Sequence, residues 1–432
     1  MTQKLYVKTF GCQMNVYDSN RMIQALMVHG FSQTDDPEKA DIILLNTCHI
    51  REKASEKLFS EIGRLAKQKK KSALIVVAGC VVQAEGREIL RRSHLIDIAV
   101  GPQNYHQLPE LIAKYNREKG RLIVADFPTE SKFDSLPMPK TSSANAFLAI
   151  QEGCDNFCSY CVVPYTRGCE YSRPSSEILV EAKALVKAGA KEIMLLGQNV
   201  NCWHGDEGKD LGDLIRDVAK IKGLKRIRYT TSYPSKITQN LINTHADTPK
   251  LMPYIHLPIQ AGSDKTLRAM NRQYTVAEYE EIVAAFRSVR PDIAISSDFI
   301  VGFPGETEED FEQTLALVER VKYASSYSFK FSARPGTPAS LMKNQIPEEV
   351  KTRRLIKLQK LLQSQQRTFN EATVGKVLDV LLTERGKVKG QLVGYTPYMQ
   401  GTVVRAPLKM LGEIVSVKII SASATALTGE II

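Results

Sequence analysis

The sequence predicts an α/β protein in three parts: an N-terminal βαβ domain on a parallel sheet, a central partial (β/α)6 barrel, and a small C-terminal antiparallel β-barrel. Three observations carry that expectation. Short apolar runs alternate with amphipathic stretches in two successive series. A polar segment bearing prolines separates them, and the last part of the chain changes to short strands divided by glycines.

In the first series, residues 1–125, the runs Leu5–Phe10, Ile42–Leu45, Leu74–Ala78 and Ile96–Val100 read as strands. Ser19–His29, Glu52–Lys69, Ala84–Arg92 and Leu108–Arg117 read as helices. Residues 126–143 hold Pro128, Pro137 and Pro139 among polar side chains and read as a linker. The second series spans 144–366. Its strands are expected at Phe147–Ile150, Glu192–Leu196, Ile227–Thr231, Tyr254–Leu257, Ile295–Ile300 and Tyr327–Phe331. Helices are expected at Glu177–Lys187, Leu211–Val218, Val276–Val289 and Glu309–Val321. In such a barrel the chemistry gathers at the C-terminal strand ends. A basic helix, Pro347–Arg367, leads into 367–432, where Val377–Thr383, Gly390–Tyr395, Gly401–Val404 and Ile414–Ile420 read as strands.

With 432 residues, 43% hydrophobic and 24% charged, the chain has the make-up of a globular protein of several domains. It lacks the run of about 20 apolar residues that a membrane span needs, and a cytoplasmic location without a membrane partner is expected. In a reducing compartment, eight cysteines point to metal ligation rather than disulfides. The net charge of +11 points to a polyanionic partner. Lys351, Arg353, Arg354, Lys357, Lys360 and Arg367 concentrate that charge on one helical stretch, which reads either as a solvated face or as a phosphate-binding one.

Cys154, Cys158 and Cys161 stand in C-x3-C-x2-C spacing. Three thiolates so close can hold three corners of a cubane iron–sulfur cluster and leave the fourth iron open to a small chelating ligand. Zinc or unrelated buried thiols are the alternatives, but zinc usually takes four ligands in paired knuckles, and no fourth Cys or His lies at knuckle spacing. Cys12, Cys48 and Cys80 are far apart in sequence, yet each follows a predicted strand. In a parallel sheet such positions share one edge, so these three can converge on a second cluster or else be buried structural thiols. Gly11 and Gly79 would admit a bulky inorganic ligand without a Cβ clash. Cys169 and Cys202 belong to neither trio and read as non-ligands.

These motifs, taken in order, resemble those of the radical S-adenosylmethionine methylthiotransferases. The likeness rests on Thr9-Phe10-Gly11-Cys12-Gln13-Met14-Asn15, on Asn46-Thr47-Cys48 with Arg51-Glu52-Lys53-Ala54, and on Val163-Pro164-Tyr165-Thr166-Arg167-Gly168 after the cysteine loop. Leu196–Val200, His256–Ser263, Val301–Thr307 and Arg334–Pro338 continue it along nearly the whole chain. Tyr233, where His is usual, and Trp203-His204 depart from the pattern. The Gln13-Met14-Asn15 and Arg51-Glu52-Lys53 runs look most like the branch that acts on isopentenylated adenosine in tRNA. Branches acting on threonylcarbamoyl-adenosine or on a ribosomal protein are the alternatives, and a cluster-dependent RNA-binding protein without turnover is an alternative of another class.

The resemblance implies a radical-generating 4Fe–4S cluster on Cys154, Cys158 and Cys161, with Tyr160 as the aromatic before the last ligand. It implies an auxiliary 4Fe–4S cluster on Cys12, Cys48 and Cys80. One S-adenosylmethionine would donate a methyl group, and a second would give a radical that opens the C2–H bond of adenine. S-adenosylmethionine contacts are expected from Gly197, Gln198, Asn199, Gln260 and Asp298, with Gly302, Pro304 and Gly305 shaping the adenine pocket. No general base is assigned. The tail resembles the RNA-binding barrel called TRAM, where Arg385, Lys387, Lys389, Arg405, Lys409 and Lys418 would meet phosphates and Tyr395 or Tyr398 a base. The implied partners are the anticodon arm of tRNA, an electron donor such as a flavodoxin or ferredoxin, and a sulfur or cluster delivery protein.

Overall fold

A computed structural model of the chain describes residues 2–49, 52–128, 130–140 and 143–432. Arg51 of the second cysteine segment lies outside the described residues, as do the side chains of residues 52–55 and linker positions 129, 141 and 142. The chain divides into two compact units. One comprises Met1–Lys140, Glu152–Asp155 and Cys161–Tyr171; the other comprises Thr141–Gln151, Asn156–Tyr160 and Ser172–Ile432.

In the first unit six parallel strands, β1 (Gln3–Phe10), β2 (Phe31–Gln33), β3 (Ile42–Thr47), β4 (Leu74–Ala78), β5 (Ile98–Val100) and β6 (Leu122–Val124), lie in the order β2-β1-β3-β4-β5-β6. Every residue of β3 and β4 is buried. Such strands, covered on both faces, read as continuous apolar runs and were legible for that reason. The three-residue strands β2 and β6 at the two edges were not expected, because so short a stretch carries no period.

Two helices differ from expectation. The first runs Gln13–Val28 and begins directly after Cys12, six residues earlier than predicted. The predicted Ala84–Arg92 helix is two pieces, Cys80–Glu85 and Glu88–Arg92, divided at Gly86 with φ +55°.

The second unit contains β7 (Asn145–Ala149); the two-residue strands β8 (Gln151–Glu152) and β9 (Tyr171–Ser172), before and after the cysteine loop, each fall on a boundary between the units. There follow β10 (Glu192–Leu196), β11 (Arg226–Tyr229), β12 (Tyr254–His256), β13 (Ala294–Val301) and β14 (Ser325–Lys330). Parallel sheets β11-β10-β7 and β12-β13-β14 are joined by one isolated parallel bridge, Ile227 to Leu251, so the six barrel strands form a split, partial barrel. Capping boxes start the helices Leu211–Ala219, Val276–Val289 and Glu308–Val321. Gln239–Asp247 and Asp264–Ala269 are further helices between strands that were not predicted.

The tail folds as a closed barrel, β15 (Val377–Arg385), β16 (Gln391–Tyr395), β17 (Gly401–Arg405), β19 (Leu427–Ile431) and β18 (Ile414–Ala422) in ring order. It is antiparallel except for β17 and β19, which pair in parallel and close the ring. Its core is Val380, Leu382, Leu392, Val404, Val417, Ile419 and Leu427.

Two arginines of β11 bind this barrel to the larger one. Arg226 donates to the carbonyls of Tyr395 (3.0 Å) and Asp379 (2.8 Å), and Arg228 to those of Pro397 (2.8 Å) and Thr396 (2.7 Å). Arg228 also donates to Glu192 Oε2 at 2.9 Å. All three side chains are buried, and burial pulls the Arg226 guanidinium down to about 10 against the opposing Glu192 charge.

The basic helix, Glu348–Glu371, is not the free cationic face that its sequence suggested. Arg354 is buried on Glu306 (2.8 Å) and Glu308 (3.0 Å), Lys357 pairs with Glu312 at 2.5 Å, and Arg353 lies 3.5 Å from Glu308. The acids come from the start of Glu308–Val321 and the turn before it. Much of the charge therefore holds the barrel helices together.

Candidate functional site

Because β1, β3 and β4 are neighbours, with Phe10 opposite Thr47 and Asn46 opposite Ala78, Cys12, Cys48 and Cys80 leave adjacent strand ends. A small polar knot holds the first two segments together. The Cys48 amide donates to the Phe10 carbonyl at 3.2 Å. Buried Asn46 donates through Nδ2 to the Asn15 carbonyl (2.8 Å) and Ser19 Oγ (3.0 Å), while Asn15 donates back to Asn46 Oδ1 at 3.3 Å. The Cys12 thiol donates to Asn15 Oδ1 at 3.2 Å. The Asn46 amide donates two hydrogen bonds and accepts one here, more donors than a hydroxyl can supply, which accounts for an asparagine at this position.

Gly11 and Gly79, at φ +126° and +99°, are also required by the protein's own packing. A Cβ on Gly11 would stand 2.4 Å from Cys48 Cβ, and one on Gly79 would stand 2.4 Å from Asn46 Oδ1 and 2.6 Å from the Thr47 carbonyl. They let the cysteine segments approach one another.

The thiols sit in unlike fields. Cys12 is exposed and caps the N-terminus of the helix Gln13–Val28, where the partial positive charge favours a thiolate. A hydrogen bond with Cys48, helped by the positive charge of Arg167, holds its pKa down at about 6. Cys80 is buried; burial pushes its thiol up, with Arg167 opposing.

Arg167 is itself buried. It donates to Asp18 Oδ2 at 2.6 Å and to Glu152 Oε1, and Lys132 donates to the same Glu152 oxygen at 2.6 Å. Burial would raise the Glu152 carboxyl, but Lys132 and Arg167 outweigh it and leave it below the usual range. Two acids and two bases thus neutralise one another beside the thiols. The motif Val163–Gly168 was the available signal for Arg167. Lys132, in the expected linker, gave none.

Among the described residues no group of three or more His, Cys, Asp or Glu side chains is closed up around a single point. The donor set is nevertheless the one a cubane needs, since its thiolates bind different irons. Three sulfurs with no imidazole suit it better than zinc, which takes four ligands. In metal-free protein at pH 7, an alkylating reagent is expected to modify Cys12 before Cys48 or Cys80. With a pKa near 6 the thiolate fraction, and so the rate at Cys12, should fall about tenfold from pH 7 to pH 5. Peptide mass analysis of a timed series reads this directly. A rate at Cys12 that still climbs steeply between pH 8 and pH 9 would contradict the assignment.

The loop of the second trio is held at its base and its tip. Gly153, at φ +75°, lies so close to Cys169 that a Cβ would meet the Cys169 carbonyl at 1.9 Å, and the Cys154 amide donates to the Gly168 carbonyl at 3.2 Å. In the second unit, the segment after Asp264–Ala269 grips the loop. Ser159 donates its amide to the Met270 carbonyl (3.0 Å) and its hydroxyl to the Ala269 carbonyl (2.8 Å). Asn271 donates to the carbonyls of Asn156 (3.2 Å) and Phe157 (3.0 Å). Phe157 takes φ +45° at the turn between the cysteines. Cys158 is buried, while Cys154 and Cys161 are partly exposed.

The residues expected to meet S-adenosylmethionine lie at barrel strand ends. Gly197 and Gln198 follow β10, and Gly197 leaves room for Gln151, whose Oε1 accepts the Asn199 amide at 3.1 Å. Asn199 donates to Cys202 Sγ at 2.8 Å, but among the described residues its buried Oδ1 has no partner. Ser232 Oγ, past the end of β11, is likewise buried without a partner among the described residues and was not predicted. A buried unpaired oxygen is costly, and these two, past the ends of neighbouring strands β10 and β11, are open to a polar ligand.

Gln260 at φ +80° donates its amide to the Asp298 carbonyl at 2.9 Å. Asp298 lies 3.4 Å from His256 Nε2. Tyr327, paired in register with Asp298, and Phe329 are exposed aromatics that the sequence did not single out. In the turn after β13, Lys351 occupies the space beside Gly302, where a Cβ would stand 2.3 Å from its Cγ. Pro304 is buried, and the Gly305 amide donates to the Asn344 carbonyl at 2.8 Å.

Three family models match the chain: the uncharacterized protein family UPF0004 over residues 4–101, the radical SAM superfamily over 148–318 and the TRAM domain over 371–432. A tRNA-2-methylthio-N(6)-dimethylallyladenosine synthase of Wolbachia pipientis subsp. Culex pipiens (strain wPip) is 56% identical over 434 residues, covering 98% of this chain and 99% of the relative. One from Rickettsia bellii (strain RML369-C) is 53% identical over 444 residues and covers 100% of both chains. Among solved structures, the radical S-adenosylmethionine methyltransferase TsrM from Kitasatospora setae matches with a TM-score of 0.59 at 14% identity, over 79% of this chain and 77% of that one. The cobalamin-dependent S-adenosylmethionine radical enzyme OxsB matches at 0.54 and 12%, over 83% and 56%. At such identities the likeness is one of fold alone.

Proposed function

The chain belongs to the tRNA-2-methylthio-N(6)-dimethylallyladenosine synthase family, and from that premise we propose which of its residues carry out the reaction. It is a radical S-adenosylmethionine tRNA methylthiotransferase that adds a methylthio group at C2 of N6-dimethylallyladenosine. When bound, its 4Fe–4S clusters and S-adenosylmethionine supply the electron, the radical, the sulfur and the methyl group that acid–base side chains cannot bring to an aromatic C–H bond.

Cys154, Cys158 and Cys161 would hold one cluster, and Cys12, Cys48 and Cys80 the other. The observation that carries the second assignment is the adjacency of β1, β3 and β4, each followed within two residues by a cysteine. Asn199, whose Oδ1 is unpaired among the described residues, and Gln198, Gln260 and Asp298 would orient S-adenosylmethionine. Tyr327 and Phe329 offer flat apolar surface to the modified base. Arg385, Lys387, Lys389, Arg405, Lys409 and Lys418 of the small barrel, all exposed, would meet phosphates of the anticodon arm. Tyr395 remains a candidate for stacking. Tyr398 does not, because its hydroxyl donates to Asp292 at 2.9 Å and its ring packs edge-on to Phe369. A flavodoxin or ferredoxin as electron donor, a sulfur or cluster delivery protein and a cytoplasmic setting complete the reading.

Anaerobic turnover with tRNA carrying or lacking N6-dimethylallyladenosine tests the substrate. The 2-methylthio nucleoside and 5′-deoxyadenosine are expected together only with the dimethylallylated tRNA. Product on threonylcarbamoyl-adenosine or a ribosomal protein would move the assignment to a sister branch. Intact S-adenosylmethionine under strong reduction would leave a cluster-dependent RNA-binding protein.

A further inference from the structure

Arg272 is a buried cation with no carboxylate, among the described residues, as a hydrogen-bond or ion-pair partner. Its Nε donates to the Tyr274 hydroxyl at 2.6 Å and its Nη2 to the Pro258 carbonyl at 2.8 Å. The rings of Tyr233 and Tyr274 face the guanidinium, with centroids 4.4 Å and 5.0 Å from its central carbon. The remaining arm, Nη1, points at Cys158 Sγ, 3.4 Å away. Phenol faces and carbonyls soften the cost of burying a charge but do not neutralise it, and an unpaired buried cation is expensive. Of the groups it hydrogen-bonds, the one that carries a full negative charge near neutral pH is the sulfur of Cys158 when it ligates a metal as a thiolate.

We propose that Arg272 is a positioning residue for the radical-generating cluster. It pairs with the Cys158 thiolate through a charge-assisted N–H···S hydrogen bond and so raises the cluster's reduction potential. The physical basis is that the reduced cluster carries one more negative charge than the oxidised one. A fixed cation and hydrogen bond at a ligating sulfur therefore favour reduction. The same arrangement accounts for Tyr233, whose ring covers the guanidinium and whose hydroxyl accepts the Gln273 amide at 3.1 Å. The segment Met270-Asn271-Arg272 thus holds the cysteine loop by its backbone and one of its sulfurs by charge. The proposal rests on the reading that Cys154, Cys158 and Cys161 hold this cluster.

The test uses the full-length chain with Cys12, Cys48 and Cys80 replaced by alanine, so that a single cluster reports. Iron is counted after anaerobic reconstitution, and the midpoint potential is then found by dithionite titration with mediators, followed by absorbance and electron paramagnetic resonance. Arg272→Met is expected to keep its iron and shift the midpoint to lower potential. The reduced-to-oxidised ratio at fixed poise should drop about tenfold, equivalent to about 59 mV for one electron. Arg272→Lys keeps the charge but loses the directed hydrogen bond, and is expected to fall between the two. If the Met variant holds no iron, the Lys variant decides alone: a lower midpoint supports the proposal and an unchanged one overturns it. An unchanged midpoint in an iron-loaded Met variant overturns it too. A parent protein that binds no iron would instead sink the cluster assignment, which separates that failure from this one.

Discussion

Replacing Cys12, Cys48 and Cys80 together by alanine is expected to lower iron after anaerobic reconstitution from about eight to about four per chain. Acid-labile sulfide should fall in parallel. Reductive cleavage of S-adenosylmethionine should survive, because Cys154, Cys158 and Cys161 are untouched, while formation of the methylthio product should fall below detection. The fold is expected to hold. Arg167 keeps Asp18 and Glu152 as partners when the thiols are gone, and Lys132 keeps Glu152, so no buried charge is abandoned. About four irons in both proteins would make the N-terminal trio structural, and sulfur insertion on that trio would have to be given up.

Arg228→Ala is expected to be the most destabilising single change away from the cysteines, by about 3–5 kcal/mol. The substitution strips Glu192 of its 2.9 Å partner and leaves the carbonyls of Thr396 and Pro397 without their donor. Arg226, 3.9 Å from Glu192, cannot take over while it serves Tyr395 and Asp379. Thermal unfolding of the full chain is the measurement, with tRNA affinity across a salt series as a second readout of whether the small barrel remains in place. Replacing Arg228 by Met and Glu192 by Leu together is not expected to restore wild-type stability, since buried Arg226 then loses the Glu192 charge that opposes its burial. A wild-type unfolding profile for Arg228→Ala would mean that the two barrels do not depend on this contact. The same geometry bears on truncation. Ending the chain near Arg367 would remove the exposed basic side chains of the small barrel and also the carbonyls that satisfy two buried arginines, so a loss of RNA binding there would not isolate the first effect.

What the sequence determined by itself was whatever is local. The C-x3-C-x2-C spacing confines three thiols to one loop in any fold. The unbroken apolar runs of β3 and β4 mark strands buried on both faces, and the glycine-divided tail marks a small barrel. The order of elements also sufficed to place Cys12, Cys48 and Cys80 at strand ends. That these ends are neighbours was only an expectation until strand order was known.

Tertiary structure alone decided the charges. Arg226 and Arg228 alternate with Ile227 and Tyr229 in a strand that reads as half-exposed, yet all four are buried, because carbonyls of a domain about 170 residues later meet the guanidinium groups. The cationic stretch around Arg354 reads as a nucleic-acid face, yet its acids lie more than 40 residues earlier. Lys132 sits in an apparent linker and Arg272 beyond a helix that the sequence did not announce. A charge is costly to bury unless its partner is at hand. Which partner that is depends on how distant segments pack, and no local period or spacing records it.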